Sequence, residues 1–346
     1  MRNKFYALIA FGALFLNAFG AVSAQTKIAN QPNRLAALLP ASDGVMTLDV
    51  QRLLNESVPQ VLSGKPQMLA DINQKIDEIR DKTGLDARQF EQIAIGVAIK
   101  QITAREVDLE PIFLARGKYN ANALIAVAKL ASKGKYREEK SGSRTIYVFD
   151  GKEMVAQNKP TTKNSWFDKA IDRLIIGLTK EIAVTSLDDN TLAFGSLARV
   201  RETFETKSRI SSEVLNLANR RPNAVVSFGA KLPNGLSNFF ILDNDELGKT
   251  LDSIRQISGA VEISDGNSAV SMAAKTLNVE QAQNLHETLQ GLQMLGKAFI
   301  GGGKGEDKKV YARMIENAKI TRNSAEVVFD LQVPQTDINI LLAGIK

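Results

Sequence analysis

In the stretch "AVEISDGNSAVSMAAKTL" (260–277), which decides the fold, Asp265-Gly266 separates two mainly apolar runs. Asp-Gly between two such runs fits a two-residue turn between paired strands. The stretch therefore predicts a β-hairpin. Hairpins join antiparallel neighbours, so we expect a mainly antiparallel sheet.

Other hairpin patterns lie on both sides of this one, as do the strand patterns 45–50, 92–102 and 109–118. The hairpins are "KYREEKSGSRTIYVF" (135–149), "EIAVTSLDDNTLAFG" (181–195) and "AKITRNSAEVVFDLQV" (318–333). The strands predict an α+β protein with helices packed on one face of the sheet.

Apolar residues spaced three and four apart predict the helices between the strands. Helix starts are indicated by Asn120, Ser165, Ser196, Asp243 and Asn278, which can cap a first turn. The apolar faces are Leu69, Ile72, Ile76 and Ile79; Leu247, Leu251, Ile254 and Ile257; and Leu285, Leu289, Leu292 and Phe299.

The order of elements repeats along the chain. Residues 25–220 and 221–346 each run strand, helix, hairpin, helix, hairpin, helix, with a boundary at Arg220-Arg221-Pro222. "AVTSLDDNTLAFGSLARV" (183–200) corresponds to "ITRNSAEVVFDLQVPQTD" (320–337). We interpret the halves as two tandem, duplicated α+β modules. Two unrelated modules with similar elements are the alternative.

The first 24 residues resemble a secretory signal. Arg2 and Lys4 precede the uncharged run 5–16, and Val22-Ser23-Ala24 ends in small residues, so cleavage is expected between Ala24 and Gln25. A retained anchor is the alternative, although the run is shorter than the ~20 residues of a membrane span. No later stretch predicts a transmembrane segment. The mature chain is expected to be soluble, in the periplasm or extracellular.

Composition excludes several classes of function. The chain has 44 basic and 38 acidic residues, and these are interspersed, which disfavours a nucleic-acid interface. There are no cysteines and one histidine, so thiol chemistry and the usual zinc ligand sets are excluded. We therefore expect no metal and no cofactor.

Several short motifs fail as catalytic or binding sites. "FIGGGKGEDKK" (299–309) lacks the first glycine of a P-loop, where Ala298 stands, and predicts a flexible loop. His286 begins "HETLQ", whose second zinc ligand is replaced by Gln290, so it is expected at the surface. Ser132 of "SKGK" lies at a helix end, and "LDNDEL" (242–247) fits helix capping better than a calcium loop.

A candidate contact for a partner follows a polar loop. Residues 151–165 lack periodicity and are interpreted as a flexible loop, after which Trp166 and Phe167 form an aromatic pair. Exposed aromatics are typical anchors of protein interfaces. The alternative is that both rings pack back onto their own domain.

Four segments resemble uncharacterised secreted proteins of soil bacteria. They are "LLPASDGVMTLDVQRLLNESVPQVL" (38–62), "KTGLDARQFEQIAIG" (82–96), "KYREEKSGSRTIYVF" (135–149) and "AVTSLDDNTLAFGSLARVRETF" (183–204). The resemblance implies an exported protein of two α+β modules and implies no active site.

The sequence thus favours an exported, non-enzymatic protein that binds another envelope or secreted protein. It contains no complete catalytic set. A carrier of a lipid or other apolar ligand and a carboxylate-dependent hydrolase are the alternatives.

Overall fold

A computed structural model describes residues 34–103, 106–150, 181–205, 208–234, 245–264, 266–300 and 305–343. The predicted leader with its Ala24–Gln25 cleavage site, the loop 151–165, and Trp166 and Phe167 lie outside these residues.

One antiparallel sheet organises the described chain. Its strand order is β11-β12-β10-β9-β8-β1-β2-β3-β7-β6-β5-β4. The strands are β1 Gly44–Asp49, β2 Phe90–Thr103, β3 Glu106–Gly117, β4 Tyr136–Ser141, β5 Arg144–Asp150, β6 Glu181–Asp188, β7 Thr191–Gly195, β8 Val226–Lys231, β9 Ile254–Ser264, β10 Asn267–Thr276, β11 Lys319–Asn323 and β12 Glu326–Pro334.

Helices separate the strands. They are α1 Val50–Arg52, α2 Val58–Val61, α3 Pro66–Thr83, α4 Ala121–Ala131, α5 Leu197–Glu202, α6 Ser212–Ala218, α7 Asp245–Asp252, α8 Val279–Ile300, α9 Glu306–Asn317 and α10 Gln335–Ala343. A π-helical turn at Leu53–Ser57 joins α1 to α2, and 3₁₀ turns occupy Ala36–Leu38 and Ala87–Gln89.

The predicted caps explain where several helices begin. The side chains of Asn120, Ser196 and Asn278 accept backbone hydrogen bonds from Ala123, Arg199 and Gln281. At the other end of α3, Gly84 adopts a left-handed conformation with φ 71°, as a C-terminal glycine cap does.

The back face of the sheet carries the largest buried cluster. Alternate residues of the central strands, among them Val45, Ala94 and Leu114, point to this face. They pack against the 3₁₀ turn Ala36–Leu38, α5 and α6. This face is covered over the middle of the sheet.

The front face carries the remaining helices. Leu48 and Ile93 pack against α3, whose Ile72 and Ile76 are fully buried. The other buried clusters place α4 against β6 and β7, and α8 against β9 and β12. The expectation of helices on one face was therefore wrong. The central strands are apolar on both faces, and both need cover.

The element types were otherwise predicted well, with two further corrections. Ile254 and Ile257, assigned to a helix, belong to β9, because α7 ends at Asp252. The segment after the glycine run, expected to be a loop, forms α9 from Glu306. The order β1-β2-β3-β7-β6 on one side of the β1–β8 pair corresponds to β8-β9-β10-β12-β11 on the other.

Candidate binding surfaces

One face of helix α8 is buried along the first half of the helix. Ala282 and Leu285 are 0% and 5% exposed and pack in one cluster with Ile254 of β9 and Val327 of β12. Leu289 packs against the same cluster. The spacing of three and four that predicted the apolar face thus positions these side chains over the sheet.

The second half of α8 continues the same face without a sheet beneath it. Leu292, Leu295 and Phe299 follow Leu289 at steps of three, three and four, yet they are 51%, 55% and 84% exposed. We call these three residues the exposed stripe. Met294, on another side of the helix, is 71% exposed.

The side of this second half that is packed faces α9. Gln293 donates hydrogen bonds of 2.7 and 2.8 Å to the carbonyl oxygens of Ile315 and Ala318, at the end of α9. Gly296 lies against Ile315, whose Cδ1 would be 3.3 Å from an added Cβ. The α8–α9 pair is therefore held from one side, and the stripe is left open.

A second apolar feature crosses the front face of the sheet. Seven residues occupy one cross-strand row, and all are half-buried: Phe228, Met46, Ile95, Phe113, Phe194, Val184 and Tyr147. We call them the central apolar row. At ~4.8 Å between neighbouring strands, the row is about 29 Å long.

Aromatic rings occupy four of the seven positions in the row. The rings of Phe113 and Phe194 stack with centroids 4.7 Å apart. At one end the ring of Phe228 lies over Gly259, where an added Cβ would be 2.3 Å from the ring. At the other end the ammonium group of Lys129 lies 4.7 Å from the centre of the Tyr147 ring. The row is thus a continuous apolar track with a cation at one end.

The shifted pKa values in the described residues have structural causes. Burial raises the pKa of Asp49, whose carboxylate caps α1 by accepting a 3.0 Å hydrogen bond from the Arg52 amide. A hydrogen bond to Glu138 raises the pKa of Lys129. Both shifts are explained by a structural role, the cap of α1 for Asp49 and the ion pair with Glu138 for Lys129.

The residues that the sequence marked as possible catalytic or metal-binding groups have structural roles where they are described. His286 was predicted to lie at the surface, but it is half-buried. Its Nε2 lies 3.3 Å from the Ile320 carbonyl oxygen, so a proton on Nε2 would be donated to edge strand β11. Ser132 donates to the Lys129 carbonyl at the end of α4. Of the acidic run 242–247, only 245–247 is described, as the first turn of α7.

The described residues form neither a cluster of metal ligands nor a helix that could span a membrane. They contain no group of three or more histidine, cysteine, aspartate or glutamate side chains arranged to hold a metal ion. Within the same ranges, the helices fall short of the length and apolarity needed to cross a bilayer.

The sequence predicted neither apolar surface, because the exposure of a helix face and the register between distant strands are both set by tertiary contacts. It identified Leu292 and Phe299 as part of a helical face and treated that face as core. The central row joins strands far apart in sequence, such as β8 and β1, whose register no local pattern gives. The exposed apolar end of "LQGLQMLGKAFI" (289–300), followed by glycines, was the available signal.

Comparisons with known proteins give limited information. No protein-family model matches the sequence, and no curated protein matches it. Among solved structures, crystal form III of TP0453 matches with a TM-score of 0.40 and 8% identity, over 92% of this chain and 100% of that one. Crystal form IV matches with a TM-score of 0.41 and 8% identity, over 90% and 96%. Similarity at this level assigns neither a family nor a function.

Proposed function

We propose that this chain is an exported, non-enzymatic binding protein that contacts another envelope protein through the exposed stripe of α8. The observation that carries the proposal is the exposure of Leu292, Leu295 and Phe299 on the helix whose first half is buried through Ala282 and Leu285. Isolated exposed apolar side chains are common, but a contiguous set is typical of an interaction site.

The geometry of the stripe supports a helix-in-groove contact. Amphipathic helices bind partner grooves through anchors at positions i, i+3 and i+7, and Leu292, Leu295 and Phe299 have this spacing. Phe299 is the largest and most exposed of the three. Burial of an aromatic anchor dominates the energy of many interfaces, so Phe299 is expected to contribute most.

A photo-crosslinking amino acid at Ala298, beside Phe299, tests the proposal in intact cell envelopes. We expect one discrete adduct with a different protein, and we expect its loss when Leu292, Leu295 and Phe299 are replaced by serine. The matched control replaces three exposed apolar residues elsewhere, Leu130, Met272 and Leu277, by serine. The control variant should retain the adduct.

Two results would refute this contact. The same adduct in the stripe variant would place the partner elsewhere. An adduct with twice the mass of the chain would show self-association through the stripe. Circular dichroism of the stripe variant should match the parent, because none of its three side chains is buried.

A second candidate function, a carrier of an apolar ligand, is favoured by the central apolar row. A half-buried aromatic track about 29 Å long fits an extended acyl chain better than a compact molecule. Native mass spectrometry of purified protein should reveal a bound apolar ligand, and Phe113→Ala with Phe194→Ala should reduce it. A clean apo mass in the parent protein would remove this candidate.

The export and duplication proposals have separate support. The small residues before Gln25 motivate cleavage after Ala24, and the mature protein from the envelope should begin at Gln25. An intact N-terminus in the cytosol would contradict export. The corresponding strand orders on the two sides of the β1–β8 pair support an internal duplication of the modules 25–220 and 221–346.

A further inference from the structure

The two ends of the sheet differ in how their outer strands are protected. The strand order places β11 at one end and β4 at the other. At the β11 end, α8 side chains reach carbonyl oxygens on or next to the strand: His286 Nε2 lies 3.3 Å from that of Ile320, and Gln293 donates at 2.8 Å to that of Ala318. Among the described residues, no side chain forms a hydrogen bond with the backbone of β4. An uncovered strand edge can pair with another strand, so β4 is a candidate interface.

The β4–β5 hairpin determines which backbone groups of β4 point outward. Its loop is the two-residue turn Gly142-Ser143, because Ser141 pairs directly with Arg144. In such a hairpin the residues next to the loop share hydrogen bonds, and every second residue then points away from the partner strand. Three residues of β4 therefore direct their N–H and C=O groups away from β5: Tyr136, Glu138 and Lys140. None of these backbone groups has a hydrogen-bond partner among the described residues.

Strand β4 lacks two features that commonly block pairing at a sheet edge. It contains no proline, and no bulge interrupts its register with β5. Its charged side chains are the remaining obstacle, because like charges that face each other across a strand pair are destabilising.

A second copy of β4 would match these charges in one register. If two copies run antiparallel with Glu138 opposite Glu138, all three outward residues of each copy find partners. The same register places Arg137 opposite Glu139 of the second copy, and this pair occurs twice. The facing Glu138 carboxylates would repel each other, but the ammonium group of Lys129 lies 3.1 Å from Glu138 within each copy and offsets the repulsion.

Ion pairs within each chain extend this complementarity. Arg137 lies 2.9 Å from Glu181, and Glu139 accepts a 2.6 Å hydrogen bond from Arg201. A guanidinium group has five N–H donors and a carboxylate about four acceptor positions, so both can take a further partner. Pairing of the two strands would therefore join these ion pairs into a row of alternating charges that crosses from one copy to the other.

We propose that the chain forms a twofold-symmetric dimer in which the β4 edges of two copies pair into one continuous antiparallel sheet. A twofold dimer uses the same patch on both copies, as this register requires. A pair of six-residue strands is a small contact beside the ~1,000 Å² of a stable specific interface, so the dimer is expected to be reversible. It lies at the opposite end of the sheet from β11 and does not involve the exposed stripe.

Sedimentation velocity of the full mature chain tests the proposal. We expect a monomer–dimer equilibrium with a Kd of about 10–100 μM. Glu138→Pro should abolish it, because proline removes an outward N–H and no hydrogen bond to β5. The matched control is Arg322→Pro, which makes the same change in β11 at the other end of the sheet and should leave the dimer intact. A monomer at all concentrations, or a dimer retained by Glu138→Pro, would overturn the proposal.

Single cysteines then identify the register, because the chain has no cysteine of its own. In Glu138→Cys the two thiols would face each other within reach of a disulfide. In Lys140→Cys they would lie roughly 13 Å apart along the strands. Both side chains are exposed, so the fold should persist, and circular dichroism checks this. Oxidation should cross-link Glu138→Cys at least about tenfold faster than Lys140→Cys. Equal rates, or faster cross-linking of Arg137→Cys or Glu139→Cys, would exclude the proposed pairing.

Discussion

The two halves of α8 share one apolar face and differ in what lies beneath it. In the first half, Ala282 and Leu285 are buried against β9 and β12. In the second half, Leu292, Leu295 and Phe299 are more than half exposed. The same residue types at the same spacing thus stabilise the fold in one half and form a surface in the other.

The apolar face of a helix is set by the spacing of residues in the sequence, whereas its burial depends on the tertiary structure around it. The helix has 22 residues, about 33 Å at 1.5 Å per residue. Around Gln293 and Gly296 it packs against α9 on one side. The following predictions test whether the two halves differ as described, beginning with the largest effect.

Replacing Leu285 by alanine should show the difference between the two halves of α8 most clearly. We expect Leu285→Ala to lower the free energy of unfolding by about 2–4 kcal/mol, because it removes a buried side chain and leaves a cavity. Leu295→Ala, the matched control, should change it by less than about 0.5 kcal/mol. Urea unfolding followed by circular dichroism measures both. Equal costs for the two variants would mean that the second half is buried in solution.

Two glycines within the second half provide a finer test. Gly291 has open space around its Cβ position, so Gly291→Ala should stabilise the protein by about 0.5–1 kcal/mol through helix propensity. Gly296→Ala places a methyl group 3.3 Å from Ile315 Cδ1, so its gain should be smaller or absent. Thermal unfolding of the two variants measures the contrast. A larger gain at Gly296 would show that α9 is not packed there.

The smallest effect is expected at the first turn of α9. A hydrogen bond from Lys309 lowers the pKa of Glu306 below its ordinary value of 4.5. A lowered carboxyl pKa stabilises the folded state above about pH 4.5, and the contribution is lost as the pH falls through the folded-state pKa.

Glu306→Gln should therefore lower the melting temperature slightly at pH 7, and this deficit should be smaller at pH 3. Scanning calorimetry of both proteins at the two pH values measures the difference. A deficit that persists at low pH would show that charge is not its origin, and would point to a change in how α9 begins.

Much of the fold could be predicted because its signals are local. The hairpin at Asp265-Gly266, the cap at Asn120 and the left-handed Gly84 each depend on residues within a few positions. The misassignment of Ile254 and Ile257 has a physical explanation. Their spacing of three fits a helix, but they follow directly on α7, and β9 pairs with β8 and β10 on both sides. The pairing energy of a central strand outweighs a short periodic match.

The candidate surfaces were much less predictable. The seven residues of the central apolar row come from seven strands, and only pairings such as Met46 with Phe228 align them. Such sites depend on residues far apart in the chain.

The sequence by itself determined the α+β class, the strands and most helices of the described chain, and the apolar face of α8. These features arise from the period of side-chain directions along one segment, which is fixed by backbone geometry. Only the tertiary structure decided that the sheet is continuous through the β1–β8 pair, that helices cover both faces, and that the second half of α8 leaves its apolar residues exposed. Those outcomes depend on contacts between distant segments, whose free energies no local pattern encodes.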